Sequence, residues 1–345
     1  MATMYDDSFS TTTFRERDVK ENPIIAIGTN CPVTSRQPKR KKLLNSTPEW
    51  EWRTMPSPRT TGMVEGTAPT GSDAETNLSY RYMLKGRFIK QFRYVEMTKE
   101  SMRMVRQYTV SGDPWQDQIN FFNLQLHRDL EATSLADTES VPPTDGSVAS
   151  TTRGIARWLS NTDSRFTDSA TTPDATVRTP TGSISLNNNA AATTVTEANV
   201  RSILASIASA RFEDSTKFLG VCTPNMRSAF TSFSLTDKSG SSSTNFPLRR
   251  WNMPDQTIEA RVTKYNSDFG PIDIITSFLL NAGATSPTLA LFLDMGNLEI
   301  ALDQPVEYQE LFNDGVKKRG LLDTIFVQTV LNPQAHGIVT TRSTY

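Results

Sequence analysis

The sequence predicts an α+β fold in which a long β-hairpin leaves the body and one long helix stiffens it. Three observations carry this. Residues Asp113–Leu135 repeat apolar side chains at helical spacing. Two alternating, strand-like segments flank a tip rich in Pro, Gly and Thr between 48 and 97. The last third alternates short apolar runs with turn residues.

Each part follows in chain order. Residues 1–47 form a polar, charged arm that contains the run Arg36-Gln37-Pro38-Lys39-Arg40-Lys41-Lys42, five positive charges in seven residues. Three readings of that run stay open: a solvated linker, a contact with a nucleic-acid backbone or an acidic neighbouring subunit, or a nuclear-import signal. In the next segment, Pro48-Glu49-Trp50-Glu51-Trp52 places large aromatics on one strand face and acids on the other. Leu78–Lys85 alternates again, and residues 86–97 continue as strand. So long a loop is not an idle connection, and it is expected to pack outside its own domain. Residues 98–108 put Met102 and Val105 on one helical face, with Thr98 as a cap.

The helix over 113–135 has Asp113 as cap and Pro114 where its missing N–H costs nothing; Gln116 has capping-box spacing. Its stripe is Trp115, Ile119, Phe122, Leu126 and Leu130. At 1.5 Å per residue it is about 30 Å long. Residues 136–196 are dominated by Ser, Thr, Asn, Asp and Gly, and read as a solvent-facing excursion anchored at Gly154–Leu159. A second helix spans 196–213, with Val200, Ile203, Leu204 and Ile207 inward. Phe218–Cys222 reads as a buried strand, and a short helix starts at Pro224. Strands are expected over Thr257–Tyr265, Pro271–Leu280, Leu289–Leu293 and Asp323–Leu331, with turns at 266–270 and 295–297.

Composition excludes several functions. The chain has 345 residues, with 36 Lys and Arg against 37 Asp and Glu, a net charge of −1. Bulk charge therefore does not hold it to DNA or a membrane. Two cysteines and two histidines leave no disulfide scaffold and no multi-His metal centre within one chain. No secretory h-region opens the sequence, and no 18-residue apolar run occurs. An intracellular, reducing setting is expected. The stretch Gly66-Thr67-Ala68-Pro69-Thr70-Gly71 lacks the Lys and Ser/Thr of a phosphate loop. Cys222 with His127 or His336 could be a nucleophile and base, but its setting Phe-Leu-Gly-Val-Cys favours core packing. His127 reads as a surface or inter-subunit contact, and Glu49 and Glu51 as a solvated strand face. No catalytic, cofactor-binding or metal residue is assigned.

The order of arm, hairpin, long helix and α+β body resembles the HK97-like fold of tailed-phage major capsid proteins. Local strings are similar to the SU10-type branch: Val262–Gly270 ending in Ser-Asp-Phe-Gly, Asn332-Pro333-Gln334-Ala335-His336-Gly337, Gln125–Glu131, and Gly154-Ile155 with Trp158-Leu159. The resemblance implies an N-terminal arm (1–47) and an extended loop (48–97). It implies a peripheral domain (98–150 plus 323–345) with its spine helix over 113–135, and an axial domain (151–322). It implies a non-enzymatic major capsid protein that assembles with itself, as hexamers and pentamers, into an icosahedral shell around double-stranded DNA. Scaffolding, portal and decoration proteins are further partners on this reading; no membrane and no cofactor are. The place implied is the virion, after assembly in the host cytoplasm. Candidate inter-subunit contacts are Trp50, Trp52, Tyr80, Tyr82 and Trp115. Candidate inner-face contacts to DNA or a neighbour are Arg36, Lys39, Arg40, Lys41 and Lys42. An encapsulin-like shell subunit and another structural virion protein stay open as alternatives.

Overall fold

The computed structural model describes residues 31–41, 47–53, 81–100, 114–143, 149–159, 182–187, 197–211, 218–233, 263–280, 288–312 and 315–342, with isolated positions between 60 and 68. Two sheets organise them. The first has four strands in the order β1-β10-β11-β4: β1 (Lys39–Lys41), β4 (Ile89–Thr98), β10 (Leu298–Glu310) and β11 (Lys317–Val330). β10 and β11 form a long antiparallel hairpin whose turn holds Gly315 at φ +87°, a conformation that favours glycine.

The long helix α1 (Pro114–Leu135) lies on one face of this sheet. Its stripe repeats every three or four residues, so Trp115, Leu126 and Leu130 all point at the strands. Trp115 and Leu126 pack with Val95 of β4 and Leu322 of β11. Leu130 packs with Ile300 and Phe326. Each such side chain contributes about 1.5–3 kcal/mol on burial. Polar pins fix the register: Arg93 donates to Asp129 at 2.7 Å, and Gln91 to Thr133 at 2.6 Å. Gln116 donates to Asn120 one turn along the helix; its expected capping partner Asp113 lies outside the described residues.

The second sheet has six strands in the order β5-β12-β9-β6-β8-β7: β5 (Gly182–Asn187), β6 (Phe218–Cys222), β7 (Lys264–Ser267), β8 (Gly270–Thr276), β9 (Thr288–Leu293) and β12 (Gly337–Arg342). β6 is buried at every position, as its unbroken apolar run requires. Helices α3 (Glu197–Arg211) and α4 (Pro224–Phe233) share a core with this sheet. Val200, Ile203, Leu204 and Ile207 of α3 and Met226 and Phe230 of α4 pack with Ile272, Phe292 and Val339.

The string at 332–337 is the crossover between the sheets. Asn332 caps a 3-10 turn at Pro333–Ala335 by accepting from the Gln334 N–H at 3.1 Å. Buried His336 accepts the Asp294 N–H on Nδ1 at 3.0 Å. Asp294 in turn caps the 3-10 turn Met295–Asn297. The turn residues tie both crossovers together, and β12 begins at Gly337.

Four expectations need correction. The segment 86–97 is not the far arm of the hairpin. β2 (Glu49–Arg53) pairs with β3 (Arg81–Lys85), while β4 breaks away to pair with β11. Buried Gly86 makes the break: its N–H donates to Pro48 O at 2.9 Å, and a Cβ there would meet Val327 at 2.7 Å. Second, the boundary drawn at 322/323 falls inside β11, and 298–322 lies with the four-stranded sheet. β10 escapes pattern reading because two register shifts and Pro305 break its alternation. Third, β12, drawn with the peripheral part, pairs with β5 and β9 in the six-stranded sheet. Fourth, the excursion 136–196 is solvent-facing only in part: Thr152–Leu159 is largely buried, and 182–187 pairs with β12. The helix expected over 98–108 and the strand residues 257–262 lie almost wholly outside the described residues.

Asp323 shows what β11 carries. It is buried, and it accepts from Lys90 at 2.8 Å and Gln304 at 2.8 Å. Asp323→Leu is expected to cost about 1–3 kcal/mol by leaving Gln304 and Lys90 without their acceptor. Urea denaturation checks this; an unchanged midpoint would contradict it.

Candidate interaction surfaces

The root of the hairpin is built into the body. Trp50 of β2 is buried, and its indole N–H donates to Val330 O at 3.1 Å. Its ring lies 5.6 Å from that of Trp158 in the short helix α2 (Ile155–Leu159). Around the pair gather Val33 of the arm, Leu84 of β3, Leu135 of α1, Leu293 of β9 and Ile338 of β12. Among the described residues, the arm, the hairpin, α1, α2 and strands of both sheets reach this one cluster. Trp50, expected to face a neighbour, is therefore packed inside its own subunit. Trp115 is likewise buried under α1, with Lys318 Nζ 4.9 Å from the ring centroid. Trp52 and Tyr82 are register partners on β2 and β3; their side chains, and Tyr80 altogether, lie outside the described residues.

The arm is also docked. Residues 32–37 form a turn in which Val33, Thr34 and Gln37 are buried. Glu131 of α1, itself buried, accepts the Val33 N–H at 3.1 Å and the Thr34 N–H at 2.8 Å. The chain then enters β1, parallel to β10. Arg36 and Lys39 are exposed on this segment. Arg40 and Lys41 lie in β1 but their side chains are outside the described residues, as is Lys42. Between arm, α1 and β10 runs an open groove of about 940 Å³, lined by Cys31, Lys39, His127, Leu130, Leu302 and Val306 among others. His127, expected at the surface or at an inter-subunit contact, lies exposed on its rim; partial desolvation by the groove and then the nearby Lys39 charge push its pKa down.

Chemistry is not assembled here. Cys222 is buried in β6, donates to Ile275 O at 3.5 Å, and its thiol is pushed up to about 11 by burial. Cys31 is also pushed up to about 11, by burial first and the Glu131 charge second. At pH 8 both stay protonated, so native protein should react slowly with iodoacetamide and show two fast thiols only in denaturant. Rapid stoichiometric labelling of native protein would contradict this. Glu49 and Glu51 are exposed, with Glu49 3.0 Å from Lys85. Among the described residues no group of three acids, His or Cys could hold a metal, and no helix is long and apolar enough to cross a membrane.

Large apolar side chains do face outward, at places the pattern reading passed over. Phe312 is 85% exposed and Val316 64% at the β10–β11 turn. Phe278 is 83% exposed after β8, and Phe92 60% on β4. Phe278 stands between buried Ser277, whose hydroxyl accepts the Leu279 N–H, and buried Leu280. The available signal was an aromatic next to turn residues, as in Leu311-Phe312-Asn313-Asp314-Gly315. Near the β10–β11 turn, Glu96 of β4 meets Lys317, Arg319 and Tyr94, and its carboxyl is held down at about 2, chiefly by the Lys317 hydrogen bond.

A model of the SU10 major capsid protein family matches residues 4–343. The chain belongs to this family. It is a family of structural capsid proteins, not of enzymes, and its place is the virion capsid. Solved structures share the fold at low identity. The capsid of a native GTA particle aligns with TM-score 0.60 at 10% identity, covering 96% of each chain. Gordonia phage Cozz gives 0.55 at 12%, covering 96% of this chain and 92% of that one. The capsid of cyanophage Pam1 gives 0.53 at 13%, covering 98% of each. No curated protein matches the chain.

Proposed function

We propose that this capsid protein closes its shell by laying its hairpin across a neighbouring copy. The observation that carries this is the ribbon itself. β2 and β3 pair only with each other among the described residues, yet their root is locked into the core by Trp50. A two-stranded ribbon is marginal in water without a surface to cover it. A rigid root with a marginal ribbon suits a part that completes its packing on another subunit. Hexamers and pentamers follow when such head-to-tail contacts close into rings. Near-zero net charge lets many copies gather without large repulsion.

On the same reading, the exposed Arg36 and Lys39, with Arg40, Lys41 and Lys42 beside them, face the inner wall and meet packaged double-stranded DNA without sequence preference. Scaffolding, portal and decoration proteins are the further partners, and assembly takes place in the host cytoplasm. Trp52, Tyr80 and Tyr82 are the aromatic side chains proposed to meet the neighbour.

Replacing residues 54–80 with a short turn tests the reading. The variant is expected to keep the circular dichroism spectrum and tryptophan emission of the native subunit while forming no closed shells by electron microscopy. Normal shells from the shortened chain would overturn the proposed role of the hairpin.

A further inference from the structure

The docked arm is held by an arrangement that shell building does not by itself require. Glu131 sits mid-interface with no exposed surface, and its two oxygens take the N–H groups of Val33 and Thr34. An ordinary capping contact would keep the carboxylate in water. Here a carboxylate, not an amide or hydroxyl, is sealed beneath the turn that precedes β1 and the hairpin root. We infer that Glu131 is a proton-linked latch for the arm, so that residues 31–41 dock more tightly as pH falls and loosen as it rises.

The surrounding charges do not cancel this. On the arm, Cys31 feels the Glu131 charge, and its thiol stays protonated. Arg128, one turn back on α1, acts on the same thiol in the opposite direction. Lys39 and His127 line the adjoining groove. Arg93 of β4 is held by Asp129. Beyond the shared core, Arg157 of α2 is tied to Asp137 and Glu139, and Glu49 of β2 to Lys85. Glu131 takes hydrogen bonds from the Thr34 side chain and from the Thr34 and Val33 N–H groups, all of which favour its charged form; burial outweighs them and pushes its pKa up.

The sign follows from linkage. A released arm exposes Glu131 to water, where a glutamate titrates near about 4.3. The docked form binds the proton more tightly, so acid favours docking. That gain is complete below the released value and is lost as pH rises through the docked one. Within that window one proton changes the docking constant up to about tenfold per pH unit.

The test is hydrogen exchange by mass spectrometry on the full-length chain, followed over residues 31–41 from pH 4 to 8 and corrected for intrinsic exchange chemistry. Wild type should lose protection across the window, by up to about tenfold per unit, while Glu131→Gln should show protection independent of pH. Equal slopes in both chains, or wild-type protection that grows with pH, would overturn the latch. If Glu131→Gln does not fold, carbon NMR of wild type labelled at glutamate Cδ replaces it. One glutamate titrating above the ordinary range supports the latch, and none doing so overturns it. These readouts are taken on single subunits, so they stand apart from whether shells form.

Discussion

Gly154→Ala is expected to destabilise the subunit by about 3–5 kcal/mol, a large share of the about 5–15 kcal/mol by which folded proteins are stable. Gly154 opens α2, and its N–H donates to Thr138 O at 3.2 Å. A Cβ there would stand 2.0 Å from the Ala136 carbonyl oxygen and 3.1 Å from that of Thr133. Both obstacles are backbone at the end of α1, so neither can swing aside as a side chain would. The helix end and α2 must part, which opens the cluster around Trp158. Gly320→Ala provides the contrast. Its added Cβ meets the ring of Tyr308 at 2.5 Å, but that ring is partly exposed and can rotate away. A melting series should show a large loss for the first variant and a small one for the second. Equal, small losses would mean that the junction of α1 and α2 is softer than described.

Trp50→Ala is expected to cost about 3–5 kcal/mol and to uncouple the hairpin from the body. The loss combines three things. The cavity would border Val33, Leu84, Leu135 and Val330. The Val330 carbonyl would lose its indole donor. The Trp158 ring would lose its aromatic neighbour. Trp50→Phe keeps most of the volume and drops the donor, so about 1–2 kcal/mol is expected. Guanidinium unfolding of both variants checks the order. A second readout is limited proteolysis, which should cut within 54–80 faster in Trp50→Ala than in wild type. If Trp50→Ala were as stable as wild type, the root would not be anchored as the cluster implies.

Much of the fold was legible because its elements obey local rules. The helix α1 announced itself through Pro114 and its three-four repeat, and the observed ends, Pro114 and Leu135, lie within a residue of the expected ones. β6 appeared as an unbroken apolar run at its observed limits. The string at 332–337 stood out, and its residues prove to be caps and a buried hydrogen-bonded imidazole at the crossover. What stayed hidden is non-local. No pattern says that 86–97 leaves the hairpin, since the decision rests on Val327 packing against Gly86, 241 residues along the chain (327 minus 86). β10 was hidden by bulges that are repaired only by its partner β11.

The candidate surfaces were less legible than the fold. A large aromatic in a strand-like run or on a helical stripe reads the same whether it faces a neighbour or its own core, and for Trp50 and Trp115 the core took it. Phe312 and Phe278 were overlooked because a single aromatic beside a turn carries no period. Glu131 stood in the sequence only as the end of the string Gln125–Glu131; only the fold brings the arm over it.

The central claim is that this chain is a shell subunit whose contacts are made with copies of itself. Negative-stain electron microscopy of the purified full-length chain, with light scattering on the same sample, tests it most directly. The account predicts closed shells, or free rings of six and five subunits. A sample that stays monomeric at every concentration and salt, with the arm intact and a scaffolding protein co-expressed, would contradict it.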